Sequence, residues 1–369
     1  MSQPSSFETS AAPALRQFIQ YAVTSPSADN SQPWVFERDG DTVVCRYRHV
    51  GDTQDPFGAN GHGTLIAAGA LHENIDRLLA MLGMEGAQRD LSPNWTLRFA
   101  LPVAAIPDTE ELRAMLGRHT NRHPYRRIEH PNFENLQSVA LGSGRLVVVE
   151  DRGAIKDLGR AVKMCAEARF NTEPLHDWLF GSLRWTPDAV ADGDGLDLAT
   201  IYMPPGGRLF MRLVSPWPRM ALLNRFGFYK LLALTDTDPV NKAPCMIAIV
   251  GKRSPEGIWN AGRLMQQLWI DLNRRGYAVH PYYVVTDLTN RLDAGGLDPP
   301  WRARVADAKA IASSSLCLGA ADQLHMMLRV GWPTKDPVRS RRRPAGSFLL
   351  SIPIPRAGQA FPKKHDLWL

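Results

Sequence analysis

The sequence lacks several features that would have indicated common classes of protein. Its 369 residues contain no run of 18 apolar residues, so no segment is predicted to span a bilayer. The first dozen residues are rich in Ser, Pro and Ala but have no basic start followed by a long apolar run, so they do not match a secretory signal. No GxGxxG, Walker or GxSxG pattern occurs, which leaves a dinucleotide fold, a P-loop and an α/β-hydrolase triad without support.

Cysteine is scarce and scattered. The four cysteines form no CxxC pair, so neither a zinc ribbon nor a disulfide scaffold is predicted, and a reduced cytoplasmic setting is expected. Residues 192–197 match the start of a calcium loop, but Met203 stands at the twelfth position, where a bidentate Glu is needed. His62 and His72 have no partners at metal-ligand spacing and are interpreted as surface or capping residues. No metal is predicted.

Charge is also modest. Lys and Arg number 43 and Asp and Glu 37, a net charge of +6 that is too small to predict nucleic-acid binding without a clustered patch. Hydrophobic residues make up 44% and charged residues 22%, which is typical of folded globular chains. The length favours two or three compact units.

Apolar periodicity predicts a mixture of helices and strands. A helix from Leu15 ends in the turn-forming cluster at 24–30, and a hairpin follows it. Strands are predicted at 34–38, 42–47, 95–101, 145–150, 245–251 and 324–330. Further helices are predicted at 65–82 and 155–170. The tail from Arg339 to Leu369 is basic, rich in Pro and predicted to be extended.

Two of the predicted helices match each other. Ala68-Gly69-Ala70-Leu71 leads to Gly83, and Ala261-Gly262-Arg263-Leu264 leads to Gly276, with Gly 14 positions after Gly in both and apolar residues at the same offsets. Each pattern predicts a buried helix with a small-residue contact near its start and a Gly cap at its end. Helical periodicity alone would reproduce much of this match, so duplication and coincidence both remain open.

The segment 175–235 differs in character from the rest of the chain. It is rich in Trp and is broken by Pro204-Pro205-Gly206-Gly207, which favours a lid or an insertion between lobes, with an ordinary helical subdomain as the equal alternative. A further interpretation is peripheral binding to a membrane or binding of an anion through Arg212, Arg219, Arg225 and Lys230 among aromatic residues.

Two motifs could carry a ligand. The turn Ser25 to Trp34 concentrates amides, hydroxyls and one carboxylate before a large aromatic residue, which suits a planar heteroaromatic ligand. On spacing alone, Asn and Ser side chains that cap the local backbone are the favoured explanation. Arg118-His119-Thr120-Asn121-Arg122, with Arg339 to Pro344, matches phosphate geometry, although a solvated basic turn is the plain alternative.

Together these motifs resemble the FMN-dependent nitroreductase superfamily. Pro26 to Trp34 matches its Pro-Ser-x-x-Asn-x-Gln-Pro-Trp turn, and Arg118, Thr120 and Arg122 match its Arg-x-Ser/Thr-x-Arg/Lys turn. Because each motif occurs once in a chain about twice the usual length, the sequence resembles the tandem, single-chain (Acg-like) branch. The resemblance implies an α+β, nitroreductase-like fold of two pseudo-symmetric lobes, each a mainly antiparallel sheet with packed helices. The lobes would comprise residues 1–108 and 109–369, with a helical lid-like insertion at about 172–240 and an extended C-terminal tail.

The resemblance also implies a set of cofactor-binding residues. The first turn would contact the flavin, the Arg turn and the late arginines before Pro344 would hold the FMN phosphate, and the segment after the second Gly-capped helix would face flavin N5. The residues are Pro26, Ser27, Asn30, Gln32, Arg118, His119, Thr120, Arg122, Pro281, Tyr282, Tyr283, Arg342 and Arg343. Tyr282-Tyr283-Val284 replaces the acidic residue and Gly that follow Pro in shorter relatives.

The implied function is that of an FMN-binding oxidoreductase that transfers hydride through N5. NAD(P)H would be the electron donor, and nitro compounds, quinones or similar electron-poor molecules the acceptors. No catalytic side chain is named, because the flavin supplies the redox chemistry. A flavin-dependent dehydrogenase or oxidase in a biosynthetic pathway and a non-catalytic flavin-storage protein remain alternatives. One chain would complete one site as a monomer, with further dimerisation left open.

Overall fold

Two antiparallel sheets and a pair of long helices between them organise the chain. The computed structural model describes residues 6–48, 58–127, 133, 139–203 and 205–350, and it describes the side chains from residue 13 onward. The predicted tail beyond residue 350 lies outside the described residues. The mixed α+β class is confirmed. No helix within the described ranges is long and apolar enough to cross a membrane.

The first sheet contains the predicted hairpin. Its strands, in the spatial order β1-β2-β4-β3, are β1 (Trp34–Asp39), β2 (Thr42–Tyr47), β3 (Gln88–Asp90) and β4 (Thr96–Ala100). A two-residue loop joins β1 to β2, and Gly40 adopts φ 61° there, a conformation that only Gly takes without steric cost. Helix α1 (Ser6–Ala22) packs Phe18 and Ile19 against this sheet. The chain returns near its end, where Phe36 pairs with Leu349.

The second sheet is larger and is buried on both faces. Its order is β11-β12-β10-β7-β6, from β6 (Ala140–Leu141), β7 (Gly144–Val149), β10 (Cys245–Lys252), β11 (Ala278–Tyr282) and β12 (Asp322–Pro333), with β5 (Tyr125–Arg126) paired to β12. Alternate residues of β10 pack into two different cores, Ile247 and Ile249 into one and Met246 and Ala248 into the other. The strand therefore reads as a continuous apolar run.

Helices cover both faces of this sheet. Helix α10 (Pro255–Arg274) packs on one face, and α4 (Arg152–Arg169), α11 (Val284–Asp293) and α12 (Pro299–Ser315) pack on the other. Short helix α3 (Glu110–Gly117) places Leu112 and Met115 in the core of the first sheet.

The segment between α4 and β10 is helical. It comprises α5 (Glu173–Ser182), α6 (Pro187–Ala191), α7 (Gly207–Val214), α8 (Trp217–Asn224) and α9 (Phe228–Asn241), with the parallel pair β8 (Leu183–Arg184) and β9 (Leu196–Asp197). Val214, Met220 and Leu232 pack with Phe170 and Phe180 in a core of their own. This packing is that of a helical subdomain.

Helix α2 (His62–Met81) crosses α10 at the two predicted glycines. A Cβ on Gly69 would lie 2.2 Å from the Trp259 carbonyl oxygen, and a Cβ on Gly262 would lie 2.2 Å from that of Ile66. The two contacts are equivalent, because each Gly faces the residue three positions before the other Gly. The predicted small-residue contact is confirmed.

The next turn of the two helices repeats this reciprocity. Gln267 Nε2 donates to Glu73 Oε2 at 2.9 Å, and Gln266 Nε2 donates to Asn74 Oδ1 at 2.7 Å. In each pair, one residue lies four positions after the glycine of its own helix, and its partner lies five positions after the glycine of the other helix. The contacts advance in the same direction along both helices, so α2 and α10 pack in parallel.

Both helices also end as predicted. Gly83 and Gly276 adopt φ 66° and 86°, and the following amides of Met84 and Tyr277 each donate 2.9 Å back to a carbonyl five residues earlier. This is the Gly-capped end of a helix in both cases.

The surface or capping interpretation of His72 is wrong, since His72 is buried and accepts a hydrogen bond from Trp259 Nε1.

Candidate functional site

The turn between α1 and β1 has an unusual backbone. Asp29, Asn30 and Gln32 adopt φ 45°, 59° and 51°, in the left-handed region where residues other than Gly pay a steric cost that is smallest for Asn and Asp. Ser27 Oγ accepts a hydrogen bond from the Gln32 amide at 3.0 Å, which closes the turn. Its shape is therefore fixed by its own side chains.

Asn30 joins this turn to two distant segments. Its Nδ2 lies 3.3 Å from the Gly193 carbonyl oxygen, 3.0 Å from that of Gly195 and 3.0 Å from that of Arg341. Its Oδ1 is buried and has no hydrogen-bond partner among the described residues. The donor side of this amide thus serves the protein backbone, while the acceptor side is free for a ligand.

Gln32 is fully buried and is used in the same way. Its Nε2 donates to the Gly193 carbonyl at 2.9 Å, and its Oε1 accepts from the Arg343 amide at 3.2 Å. The Arg343 guanidinium donates to the Ser31 carbonyl and lies 3.5 Å from the Asp194 carboxylate. Gln32 and Arg343 therefore hold the turn, the insertion and the C-terminal segment together.

Two arginines meet at the C-terminal end of α1. Arg118 donates to the Thr24 carbonyl at 2.9 Å, and Arg342 donates to the same carbonyl at 3.2 Å and to that of Val23 at 3.1 Å. The Arg118 guanidinium also stacks 4.6 Å above the Trp269 ring. We call Arg118 and Arg342 the arginine pair.

The electrostatics of the arginine pair favour an anion. Burial, together with the charges of Arg342 and Arg339, lowers the pKa of Arg118 to about 9, and burial lowers that of Arg342 to about 10. Neither forms an ion pair with a carboxylate among the described residues, and Arg118 Nε and the neighbouring Ser25 Oγ are buried without partners. A phosphate would offset the charge and accept these free donors.

His119 and Thr120 differ in their surroundings. His119 Nδ1 lies 2.8 Å from the Gly117 carbonyl, its amide donates to Asn273 Oδ1 at 2.8 Å, and its carbonyl accepts from Trp269 Nε1. Thr120 is half-buried, and its hydroxyl makes no hydrogen bond within the described ranges. The hydrogen bonds of His119 are therefore made within the protein, whereas the Thr120 hydroxyl could bind a ligand.

Arg122 interacts electrostatically with Asp29 and shares no hydrogen-bond partner with the arginine pair among the described residues. Its guanidinium donates to the Thr200 carbonyl at 3.3 Å, and Asp29 accepts from Trp178 Nε1 at 3.0 Å. Burial raises the pKa of the Asp29 carboxyl, although Arg169 and Arg122 oppose the shift. Burial lowers the pKa of Arg122, and Asp29 opposes that shift.

The second sheet adds further polar groups beside Arg122. The Arg329 guanidinium lies 3.9 Å above the Tyr125 ring, and the His280 and Tyr282 rings are 4.7 Å apart. Burial, with the charges of Arg329 and Arg122, lowers the pKa of His280 well below its usual value. His280 Nδ1 and Arg329 Nε have no hydrogen-bond partners among the described residues, so they too could face a ligand.

Pro281 and Tyr283 lie on either side of Tyr282. Pro281 belongs to the β11 ladder opposite Leu328. Tyr283 precedes α11, and its hydroxyl lies 2.9 Å from His62 Nδ1, while His62 Nε2 lies 3.0 Å from His325 Nδ1. Burial, with the charge of His325, lowers the pKa of His62 to about 3, so this row of rings is uncharged at neutral pH.

The structure thus brings the sequence motifs to one region but divides their roles. The turn contacts the arginine pair on one side and the group around Arg122 on the other. Sequence reasoning gave no site role to Trp178 or Arg329, and it included Asp29 and His280 only as members of their segments. An Arg within the otherwise apolar run of β12 was the one local signal among these. No group of three His, Cys, Asp or Glu within the described ranges is placed to hold a metal.

Comparisons with known proteins bear on this region. No protein-family model matches the chain. A "Probable NAD(P)H nitroreductase PigM" of Serratia is 24% identical over 298 residues, which are 74% of this chain and 80% of that protein. An uncharacterised protein of Mycobacterium tuberculosis is 24% identical over 285 residues, which are 73% of this chain but only 38% of that relative. The match therefore spans well under half of the mycobacterial protein.

Among solved structures, the FMN-dependent nitroreductase NfnB from Mycobacterium smegmatis is 16% identical, with a TM-score of 0.36 over 66% of this chain and 97% of that chain. A nitroreductase with bound FMN from Bacteroides fragilis is 12% identical, with a TM-score of 0.33 over 69% of this chain and 98% of that chain. Scores of this size support no conclusion about fold or chemistry. The sequence match to the Serratia protein supports the resemblance that the turn motifs predict, and the chain is similar to that probable nitroreductase.

Proposed function

We propose that this chain is an FMN-dependent oxidoreductase that passes hydride through flavin N5. NAD(P)H is the proposed donor, and nitro compounds, quinones or similar electron-poor molecules are the proposed acceptors. The similarity to a nitroreductase supports the reaction class. The observation that carries the proposal is the arginine pair, whose unpaired charges and free Arg118 Nε suit a phosphate beside the Ser25 to Trp34 turn.

The residues present fit FMN. The arginine pair and Ser25 Oγ would hold the phosphate, and the Asn30 Oδ1 acceptor with the polar groups around Arg122 would bind the ring system. When bound, FMN supplies the hydride chemistry. The protein side chains bind and orient it and restrict the approach of water, and no acid or base is assigned among them.

We further propose that one chain completes this site. Residues 1–108 and 109–369 form its two pseudo-symmetric lobes. The reciprocal contacts of α2 and α10 support this arrangement, because equivalent residues contact each other in both directions, as across the two-fold axis of a dimer. The turn comes from the first lobe and the arginine pair from the second, so the site needs both.

The insertion at 172–240 supports a second candidate, a flavin-storage protein. Trp178 bonds Asp29, Arg122 bonds Thr200, and Gly193 accepts from the turn, so residues 178–200 lie against the candidate site. An insertion that stays closed would exclude the nicotinamide donor. We propose that the insertion opens to admit the donor. We also propose a cytoplasmic location, because the four cysteines are free.

The test uses the purified protein. We expect an oxidised-flavin absorption spectrum, a released ligand with the mass of FMN, and rapid bleaching when NADPH or NADH is added without oxygen. Bound FMN that keeps its colour with both donors would favour storage or a dehydrogenase that takes electrons from another substrate. Absence of flavin after expression and reconstitution with FMN would contradict the proposal.

A further inference from the structure

Residues 198–235 have an extreme charge composition. This stretch contains five basic residues and no Asp or Glu, although acidic residues flank it at Asp197 and Asp236. All five basic side chains are exposed, and none forms an ion pair within the described ranges. They are Arg208, Arg212, Arg219, Arg225 and Lys230. The surface of this segment is therefore uniformly positive.

The same stretch carries most of the large apolar side chains that face solvent. Eleven exposed large hydrophobic residues lie in the described part of the chain, and seven of them fall here. Phe226 is 79% exposed and Leu209 is 74% exposed, and a concentration of exposed apolar side chains in one segment is typical of an interaction surface. The other five are Tyr202, Leu213, Leu222, Leu231 and Leu234.

Helical spacing interleaves the two kinds of side chain. On α7, Leu209 and Leu213 lie one turn apart, and Arg208 and Arg212 form the adjacent row, while Val214 is buried in the core beneath. On α9, Lys230 precedes the exposed Leu231 in the same manner. We call the exposed side chains of residues 208–234, which span α7, α8, the loop after α8 and the first half of α9, the basic apolar face.

Charge decides between the occupants that could cover this face. A second copy of the chain related by two-fold symmetry would place five cations against the same five cations, with no acidic residue on the face to offset them. Anionic lipid supplies the missing negative charge. It also supplies an apolar layer beneath the headgroups that leucine and phenylalanine side chains can enter.

We propose that the basic apolar face binds the surface of an anionic membrane. The exposed Leu and Phe side chains enter the boundary between headgroups and acyl chains, and the Arg and Lys side chains bind lipid phosphates. The aliphatic parts of the basic side chains lie along the apolar surface while their charges stay in the headgroup layer. The protein would thus attach reversibly, without a spanning helix.

Sedimentation with vesicles tests this. We expect the purified protein to pellet with vesicles of 70% phosphatidylcholine and 30% phosphatidylglycerol at low salt and to stay in solution with phosphatidylcholine alone. Binding should weaken in 0.5 M NaCl, because salt screens the attraction. Each basic residue near such a surface contributes about fivefold, so the triple variant R212Q/R219Q/R225Q should lower the partition coefficient about a hundredfold.

Matched variants separate the face from general charge. R98Q/K156Q/K335Q removes three exposed charges elsewhere and should lower binding less than fivefold. Phe226→Ser should weaken binding several-fold, whereas Val103→Ser, at another exposed site, should not. The proposal is overturned if the wild type ignores anionic vesicles, if it binds neutral vesicles equally well, or if both triple variants lose binding alike. It is also overturned if light scattering shows a wild-type dimer that Phe226→Ser converts to monomers, which would assign the face to a second copy.

Discussion

Arg118 and Arg342 each donate to carbonyl oxygens at the C-terminal end of α1, where the helix dipole favours positive charge. These hydrogen bonds use some of the N–H donors of each guanidinium. They do not account for the buried Arg118 Nε, or for two cations kept together without a carboxylate. A structural cap needs one arginine, and the proposed phosphate site would account for the second.

Arg118→Ala should therefore weaken FMN binding. Loss of a charge-assisted hydrogen bond costs about 1.5 to 3 kcal/mol, which corresponds to about 10- to 150-fold in affinity. Fluorescence titration of flavin-free protein measures this, and Arg342→Ala should behave in the same way. Arg113→Ala is the matched control, because Arg113 lies on α3 but is exposed and paired with Asp108. Equal affinities for Arg118→Ala and the control would reject the phosphate assignment.

The burial of Asp29 should make the free energy of unfolding depend on pH. Its folded-state pKa is raised, so folding takes up a proton and the free energy of unfolding falls as pH rises from the unfolded pKa to the folded one. Asp29→Asn removes this loss and keeps an acceptor for Trp178. We expect the variant to gain stability relative to wild type as the pH rises from 4 to 8, measured by urea unfolding without flavin.

Asp76 provides a control of opposite sign. Burial alone would raise its pKa, but hydrogen bonds from His72 and the Ala87 amide, with Arg263, lower it overall. Asp76→Asn should thus be destabilising across the same pH range with little slope. An Asp29→Asn profile parallel to wild type would show that Asp29 does not titrate as its surroundings require.

Sequence patterns identify the local motifs of the candidate site but not its pairs of distant residues. The turn at Pro26 to Trp34 and the Arg118 segment were predicted because each is a contiguous motif. Asp29 was identified only as the one carboxylate of that turn, because its partner Trp178 is 149 positions away along the chain. Local patterns carry no information about such pairs.

At the scale of elements, strong periodicity predicted most of the regular structure. Helices α1, α2 and α4, the hairpin and strands β4, β7, β10 and β12 lie within a few residues of their predicted bounds, apart from the earlier start of α1. The individual helices α5 to α9 were not predicted, because Trp, Pro and Gly interrupt their periodicity. Strand β11 was not predicted, because it contains Pro281 and a proline in a sequence argues against a strand.

The crossing of α2 and α10 is the element contact that tolerates least change. Gly69→Ala and Gly262→Ala should each destabilise the protein by about 3 kcal/mol, because the new methyl group would overlap a backbone carbonyl. Gly181→Ala, within α5 where nothing lies near the added methyl group, should be neutral or stabilise by up to about 1 kcal/mol. Chemical unfolding compares the three, and equal effects at Gly262 and Gly181 would contradict the close packing.

The insertion should control access to the flavin through Trp178. Trp178→Phe removes its hydrogen bond to Asp29, and loss of such a bond costs about 0.5 to 1.5 kcal/mol, which favours an open insertion. We expect kcat/KM for a bulky quinone to rise about tenfold while FMN stays bound. Trp185→Phe, in the same insertion, should leave it unchanged. Deletion of residues 200–235 is a poorer test, because it would expose the core around Phe170 and Phe180.

At the scale of the whole molecule, one pair of parallel helices links two sheets that differ in size. The reciprocal contacts at Gly69 and Gly262 are what duplication of a dimer-forming ancestor would leave in a single chain. The sequence indicated this only as one of two readings, since helical periodicity also explains matched apolar offsets. The order of strands and the pairing of Leu349 with Phe36 of β1 depend on long-range packing, which sequence pattern does not reveal.

Titration of flavin-free protein with FMN over a wide range of protein concentrations tests the single-chain flavin site most directly. Intramolecular assembly predicts saturation at one FMN per chain and a Kd that is independent of protein concentration, with monomers by light scattering at the lowest concentration. A site shared between two chains would lose affinity on dilution, because each site would then require a dimer. That loss, or the absence of any FMN binding, would contradict the single-chain site.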